Sequence, residues 1–306
     1  VTDQVLVVIN PRTGRHRFRR QVPALCRALV GYGIQPQLQV ASSPEHLIQC
    51  VREARGMKAV VVVGGDGTWH AAIQGLAGSD QSAALLPVGT GNDNARSLGQ
   101  ARGAPEELAR AIAHDQARTI SLGRATLSDG RTEWFSGILT AGFDSAVNAR
   151  ANELNVPGAT TRYVAALLAE LPRYGPSHYR IDVDGSIWEG DAVIASVGNS
   201  AYYGGGMKMC PHANIFKPYL AVTIVEYVPL VTFAKAFPSL YRGTHVNRPH
   251  VHIMSGVEVS IEAPGHQVFA DGEHLGSTPV SVTTEPDALR VFSTGTGDEA
   301  HSLDHS

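Results

Sequence analysis

Cysteine is scarce in this chain. Only Cys26, Cys50 and Cys210 occur among 306 residues, an odd number without metal-ligand spacing. A disulfide framework is thereby excluded. Buried reduced thiols are the first reading, ahead of redox or catalytic roles, and suit a cytoplasmic protein. Charge is also sparse, at 17% of residues with a net of −3, so the overall basic field of a nucleic-acid binder is missing. Lysine is nearly absent: four of the 25 cations are Lys and the rest Arg. Phosphate handling must therefore lean on Arg and on backbone N–H groups. Long hydrophobic runs are lacking too. Residues 60–63, 83–88 and 221–231 are the longest near-apolar stretches, far short of the ~20 residues that cross a bilayer. The first residues, Val1-Thr-Asp-Gln-Val5, have neither the basic nor the apolar region of a signal peptide. A transmembrane or secreted chain is disfavoured, although processing would hide a removed signal.

The length is that of about two domains at roughly 150 residues each, enough to bury cores without covalent staples. Up to about residue 115, strand and helix signals alternate. Residues 5–9 form a buried strand that runs into Asn10-Pro11, 18–32 carry apolar residues at helical spacing, and 38–40 are strand-like. Ser42 or Ser43 caps a helix with Pro44 in its first turn. Residues 59–63 are a second buried strand, ending at Gly64-Gly65. This order predicts an α/β domain with a largely parallel sheet. Beyond about residue 118 the chain reads as strands, over 119–127, 133–140, 179–183, 187–197, 219–227, 251–254, 257–261 and 279–283. Asp129-Gly130 and Asp184-Gly185 supply hairpin turns, and helices are expected at 145–155 and 161–171. The expected domains are thus 1–118, with a returning strand in about 286–306, and a β-rich 119–285. The tail after Gly295 is expected to fray.

Two glycine loops carry the chemistry. Gly64-Gly-Asp-Gly-Thr68 follows one buried strand and opens a helix; Pro87-Val-Gly-Thr-Gly-Asn-Asp93 follows another and precedes a helical stretch. Glycines let the backbone approach a phosphate, and a helix start offers free N–H groups. Asp66 fits beside phosphate only with a divalent cation between them; otherwise it caps a tight turn. Loops at the carboxyl ends of strands in one sheet share a crevice. Neither is a Walker loop nor a dinucleotide fingerprint.

With Asn10-Pro-x-x-Gly14, Ala141-Gly-Phe-Asp144, Asn199-x3-Tyr203-Gly-Gly-Gly-Met207 and Asp271-Gly-Glu273, these loops form an ordered set. It resembles the catalytic domain of the diacylglycerol kinase and sphingosine kinase superfamily, in its bacterial soluble lipid-kinase form, over nearly the whole chain. The resemblance implies an NAD kinase/phosphofructokinase-like α/β N-terminal domain, a β-rich C-terminal sandwich, and ATP–Mg²⁺ in the cleft between them. Carried over, Asn10, Gly65, Asp66, Gly67, Thr68, Gly89, Thr90 and Asn92 hold the nucleotide, Asp66 and Asp93 support magnesium, and Asp271 is the general base with Glu273 beside it. On local grounds Asp271-Gly272 is simply a hairpin turn. The implied reaction is transfer of phosphate from ATP to a lipid hydroxyl, above all diacylglycerol to phosphatidic acid. A sphingoid-base or other lipid kinase is the alternative. NAD kinase fits poorly, because its second loop is Asn-Thr-Gly-like.

The pattern breaks at two places. Ser121 stands where the family usually has Asp, which implies a weaker or differently built metal site. Asn214-Ile-Phe-Lys217 replaces acids that bind a structural metal, and an ammonium at Lys217 cannot ligate one. These departures motivate a different class, a catalytically weak lipid- or nucleotide-binding regulator, against which Asp66, Asp93, Asp271 and Glu273 all stand. The substrate implies a peripheral protein at the inner face of the membrane. Arg12, Arg15, Arg17, Arg19 and Arg20 either meet anionic lipid or surround the nucleotide. Residues 229–241 line an acyl pocket, touch membrane, or pack as a core helix. His250 and His252 share a strand face without an evident third ligand, and His301 and His305 lie in the tail; solvated or structural roles are expected. No nucleic-acid partner is expected, and a homodimer through an edge strand is left open.

Overall fold

Val60 to Val63 form a strand without a polar side chain on either face, which is stable only where both faces are covered. In the computed structural model, which describes residues 2–13, 15–100, 104–156 and 158–293, these valines are fully buried. Gly14 and the tail with His301 and His305 lie outside the described residues. The chain divides into two compact units, one reaching Ile120 and resuming at Pro286, the other Ser121–Glu285.

The first unit contains β1 (Thr2–Ile9), α1 (Arg15–Gly31), β2 (Gln35–Val40), α2 (Pro44–Glu53), β3 (Met57–Gly64), α3 (Asp66–Leu76), β4 (Ala83–Pro87), α4 (Asp93–Ser97) and α5 (Pro105–Ala113). Its parallel sheet runs β4-β3-β1-β2. Alternate residues of the sheet pack on one face against Val22, Leu25 and Leu29 of α1 and Leu108 and Ile112 of α5. Ser43 caps α2 by accepting a hydrogen bond from the His46 N–H at 3.2 Å, as its place before Pro44 predicts. α3 then lies so close to α2 that a Cβ on Gly75 would stand 2.5 Å from Val51 Cγ2.

The second unit begins within β5 (Ala117–Leu127) and continues through β6 (Thr132–Phe135), β7 (Ile138–Gly142), α6 (Phe143–Glu153), α7 (Ala159–Glu170), β8 (Ser177–Val183), β9 (Ser186–Gly198), β10 (Tyr202–Tyr203), β11 (Met207–Lys208), β12 (Leu220–Glu226), α8 (Leu230–Arg242), β13 (Val251–Gly256), β14 (Glu258–Glu262), β15 (Gln267–Ala270), β16 (Glu273–Ser277) and β17 (Val280–Phe292). Antiparallel pairing runs β16-β15-β7-β9-β8-β14-β17, with β12 on β9 and β13 beyond it. The inward residues of these strands, among them Phe135, Leu139, Tyr179, Val197, Val222 and Ile261, form the sandwich core. The α/β domain followed by a β-sandwich is the architecture the sequence leads one to expect.

Two strands differ from the sequence reading. The strand expected over 133–140 is two, because Ser136 and Gly137 leave the ladder to donate their N–H groups to Asp271. The segments 279–283 and 289–292 are one strand, β17, whose start pairs with β14 and whose end pairs with β4 at Val291↔Ala83. Of the readings open for residues 229–241, a helix is what forms: α8 runs Leu230–Arg242, uninterrupted by its internal Pro238.

Candidate active site

Asn10, Gly64 and Pro87 stand at the carboxyl ends of three adjacent parallel strands, β1, β3 and β4. Strand order alone therefore collects the three N-terminal motifs at one edge of the first unit. Asn10 Nδ2 donates to Thr68 Oγ1 at 2.9 Å, tying the first motif to the helix start of the second. Asn10 Oδ1 accepts the Arg12 N–H at 3.0 Å, so the turn after β1 is built on the same side chain. The Val88 N–H donates to the Gly64 carbonyl at 2.9 Å and joins the two glycine loops.

Those loops touch through their backbones. A Cβ on Gly89 would stand 2.8 Å from Gly65 Cα and 3.0 Å from Asn92 Oδ1, a distance no real side chain tolerates. Asn92 turns the second loop with φ 56°, a left-handed conformation that asparagine accepts more readily than most residues, and its Nδ2 donates to the Gly89 carbonyl at 2.9 Å. Asp66 Oδ1 accepts the Asn94 N–H at 2.9 Å, so the acid of one loop fixes the helix that follows the other. Asp93 Oδ1 lies 2.5 Å from Arg96 Nη1, which also donates to the Gly91 carbonyl. Arg17 Nη1 donates to the Gly89 carbonyl at 3.4 Å. Asn10, Gly65, Asp66, Thr68, Gly89, Asn92 and Asp93 thus belong to one neighbourhood, with Gly67 in the first turn of α3 and Thr90 at its exposed tip.

This neighbourhood fits a polyphosphate. Its walls are side-chain-free at Gly65 and Gly89, helix α3 begins at Asp66, and guanidinium groups stand on the second loop. It also fits magnesium, which takes one or two carboxylates and completes its shell with water and substrate phosphate. Among the described residues no three His, Cys, Asp or Glu side chains converge as a self-sufficient metal site.

The second unit holds the other cluster. Asp271 and Gly272 form the tip of the β15–β16 hairpin with φ 54° and 86°, the left-handed pair of a two-residue turn. The turn and the functional reading of this dipeptide are therefore compatible. The turn aims the Asp271 carboxylate at the bend between β6 and β7. There Gly137 N–H donates to Oδ1 at 2.7 Å and Ser136 N–H to Oδ2 at 3.1 Å. Asn199 holds that bend from behind, its Nδ2 donating to the Ser136 and Ser121 carbonyls at 3.1 and 2.9 Å. Ser121 thus meets Asn199 through its backbone. Glu273 begins β16 and is exposed. At Asn214–Lys217 a turn closes on itself, Lys217 N–H donating to the Asn214 carbonyl at 2.9 Å.

Two features escape sequence reasoning. Asp144, in the first turn of α6, is 1% exposed, and neither of its oxygens has a partner in good geometry. Burial raises its pKa to about 7, offset only in part by the nearby Ser145 N–H and Thr140 hydroxyl. Its place in a motif marks it, but a lone Asp in sequence says nothing of burial. The second is an apolar cavity of about 210 Å³ lined by Ile194, Val225, Val228, Phe233, Phe237 and Leu240, among others. His245 also lines it, and desolvation lowers that imidazole's pKa to about 4. His250 lines the cavity's rim and meets Glu226 at 3.7 Å, and His252 meets the same carboxylate at 2.7 Å.

Comparison with known proteins agrees with this arrangement. Residues 4–125 match the diacylglycerol kinase catalytic domain, and residues 137–293 match the YegS C-terminal NAD kinase beta sandwich-like domain. A diacylglycerol kinase of Mycobacterium tuberculosis is 36% identical over 253 residues, 82% of either chain. A crystal structure of a diacylglycerol kinase from Bacillus anthracis superposes with a TM-score of 0.71 at 18% identity, covering 95% of this chain and 97% of that one. An NAD kinase from Archaeoglobus fulgidus, crystallised with ATP, gives 0.57 at 14% identity over 97% and 96%. At those identities the structures share the fold.

Proposed function

Since the chain belongs to the diacylglycerol kinase family of lipid kinases, we propose that its substrate is diacylglycerol, that phosphatidic acid is its product, and that Asp271 is the base. The observation that carries this is the carboxylate of Asp271, held at a hairpin tip by two backbone N–H groups in the unit that also holds an apolar cavity.

Distances along the strands suit a lipid. The Asp271 N–H donates to the Ile138 carbonyl, and Ile138 pairs with Gly198, whereas the cavity-lining Ile194 pairs with Gly142. Four residues of β9 separate the two levels, about 13 Å at 3.3 Å per residue. A hydroxyl at Asp271 and an acyl chain directed at the cavity are separated by a span of that order.

Phosphoryl transfer asks the protein for positioning and charge neutralisation more than for covalent help. On the first unit, the N–H groups of Gly65, Gly67 and Thr68 and the second loop's Gly89, Thr90 and Asn92 orient the triphosphate, with Asn10 bracing Thr68. Asp66 is the carboxylate available to magnesium, which when bound neutralises phosphate charge; Asp93 shares its charge with Arg96. On the second unit, Asp271 takes the proton of the lipid hydroxyl as that oxygen attacks, and Glu273 stands beside it at the start of β16. Among the described residues no helix is long and apolar enough to cross a membrane.

Transfer from radiolabelled ATP, with magnesium, to diacylglycerol in mixed micelles tests the reading, run beside sphingosine, ceramide and NAD. Labelled phosphatidic acid that disappears in Asp271→Asn is the expected result. Label on sphingosine instead would overturn the substrate, and ATP binding without transfer to any lipid would favour a regulator.

A further inference from the structure

From Tyr227 to Val257 the chain contains no Asp or Glu, although acids outnumber Lys and Arg overall by 28 to 25. Every charged residue of that stretch is basic: Lys235, Arg242 and Arg248. The stretch enters and contains α8, and its start presents apolar side chains to solvent. Tyr227, Leu230 and Val231 are 44%, 37% and 66% exposed. Pro229 and Ala234 are exposed beside them. Lys235 follows Val231 at i+4, on the same helix face. Two other exposed apolar pairs, Val30 with Tyr32 and Leu38 with Val40, belong to the first unit and line no part of the apolar cavity.

We propose that this surface, the approach to α8 and its first two turns, is where the protein inserts into a bilayer bearing anionic lipid. The proposal rests on the lipid-kinase reading and names how that site meets its substrate. Three observations select a lipid surface as the occupant. The exposed residues alternate with residues that line the apolar cavity: Val228, Thr232 and Phe233 face it while Leu230 and Val231 face outward. One short segment therefore borders both the medium and the cavity. Arg248, at the other side of the same cavity, is exposed and cationic, which suits lipid phosphate. The nearest acid in sequence, Glu226, is half-buried and engaged by His252 at 2.7 Å.

The segment is also braced for insertion. Tyr174 donates its hydroxyl to the Val228 carbonyl at 2.7 Å, and its ring packs on Phe233 and Tyr227 with centroids 5.0 and 5.6 Å away. Phe143 meets both Tyr174 and Phe233 edge-on. The apolar tip is fixed in place by aromatic packing, so inserting it does not require ordering a floppy loop.

Co-sedimentation of the full chain with phosphatidylcholine vesicles, with and without phosphatidylserine, tests the proposal at low and high salt. The native chain is expected to bind the anionic vesicles, and more weakly as salt rises. Leu230→Glu/Val231→Glu should weaken binding about tenfold for each side chain no longer buried, and Lys235→Glu by about fivefold or more. Leu38→Glu/Val40→Glu, on exposed positions of β2, should bind like the native chain. Transfer to a soluble short-chain diacylglycerol should be unchanged in Leu230→Glu/Val231→Glu. Native-like vesicle binding by that variant, equal loss in the β2 control, or a native chain that ignores anionic vesicles would each overturn the proposal. If vesicles bind as expected and no diacylglycerol is phosphorylated, the substrate reading has failed and the docking surface stands.

Discussion

Asp271 shows how one side chain is made into a functional group by its surroundings. Its φ of 54° lies in a region where Asp is tolerated better than most residues, and the turn it makes directs both carboxylate oxygens at the N–H groups of Gly137 and Ser136. Those N–H groups belong to a bend that the sequence, read by strand propensity, treats as continuous strand. Asp271→Asn keeps the shape and one acceptor while removing the proposed base. We expect kcat to fall about 10²–10⁴-fold with little change in KM for ATP, because the nucleotide loops belong to the first unit. Steady-state kinetics with a melting curve checks both halves; a loss of folding in the variant would assign Asp271 to structure instead.

At the scale of elements, the two glycine loops act as a single piece. Each looks alike in sequence: a buried strand, glycines, an acid and a helix. Only the structure shows that Gly65 and Gly89 are in backbone contact and that Asp66 anchors the helix following the other loop. Gly89→Ala would place a Cβ 2.8 Å from Gly65 Cα, where neither backbone has a flexible end to move aside. Overpacking of this kind costs about 1–3 kcal/mol. We expect a lower melting temperature and a smaller rise in it on adding ATP with magnesium, since the two loops of the proposed nucleotide site are forced apart. A shift with ATP equal to that of the native chain would show that the contact does not shape the nucleotide site. The helix α8 makes the complementary point: two prolines and an even mixture of apolar and small residues obscure it in sequence, yet Phe233, Phe237 and Leu240 all reach the cavity it covers.

For the molecule as a whole, two buried groups of the second unit oppose one another in pH. Asp144, with its pKa raised from 3.8 to about 7, keeps its proton in the folded chain where the unfolded chain has lost it. Its contribution to stability therefore declines as pH rises from about 4 to about 7. His245, lowered from 6.5 to about 4, is neutral in the folded chain where the unfolded chain is protonated. Its contribution is complete above about 6.5 and is lost as pH falls toward 4. Over the shared window the two slopes cancel. Asp144→Asn should release the histidine slope, so that the variant's unfolding free energy climbs with pH by up to about 1.4 kcal/mol per pH unit relative to the native profile. Urea unfolding across that range measures it, and parallel profiles would mean that Asp144 does not hold a proton in the folded chain.

What the sequence determined by itself is whatever local pattern carries. Runs such as 60–63 can only be doubly covered strands, Ser43-Pro44 starts a helix, and Gly64-Gly-Asp-Gly-Thr68 after a strand makes a tight glycine loop that opens a helix. The α/β-then-β order was legible on those grounds, and the family through the resemblance carried by the ordered set of motifs from Asn10 to Glu273. Tertiary structure decided what depends on residues far apart in the chain. Asp271 acquires its partners more than 130 residues away, Asp144 becomes a near-neutral acid only once α6 and its neighbours exclude water, and the cavity exists only where α8, β12 and β13 meet. Periodicity and propensity report the backbone's near neighbours, whereas desolvation and convergence are properties of packing, and those turn shared motifs into a particular site.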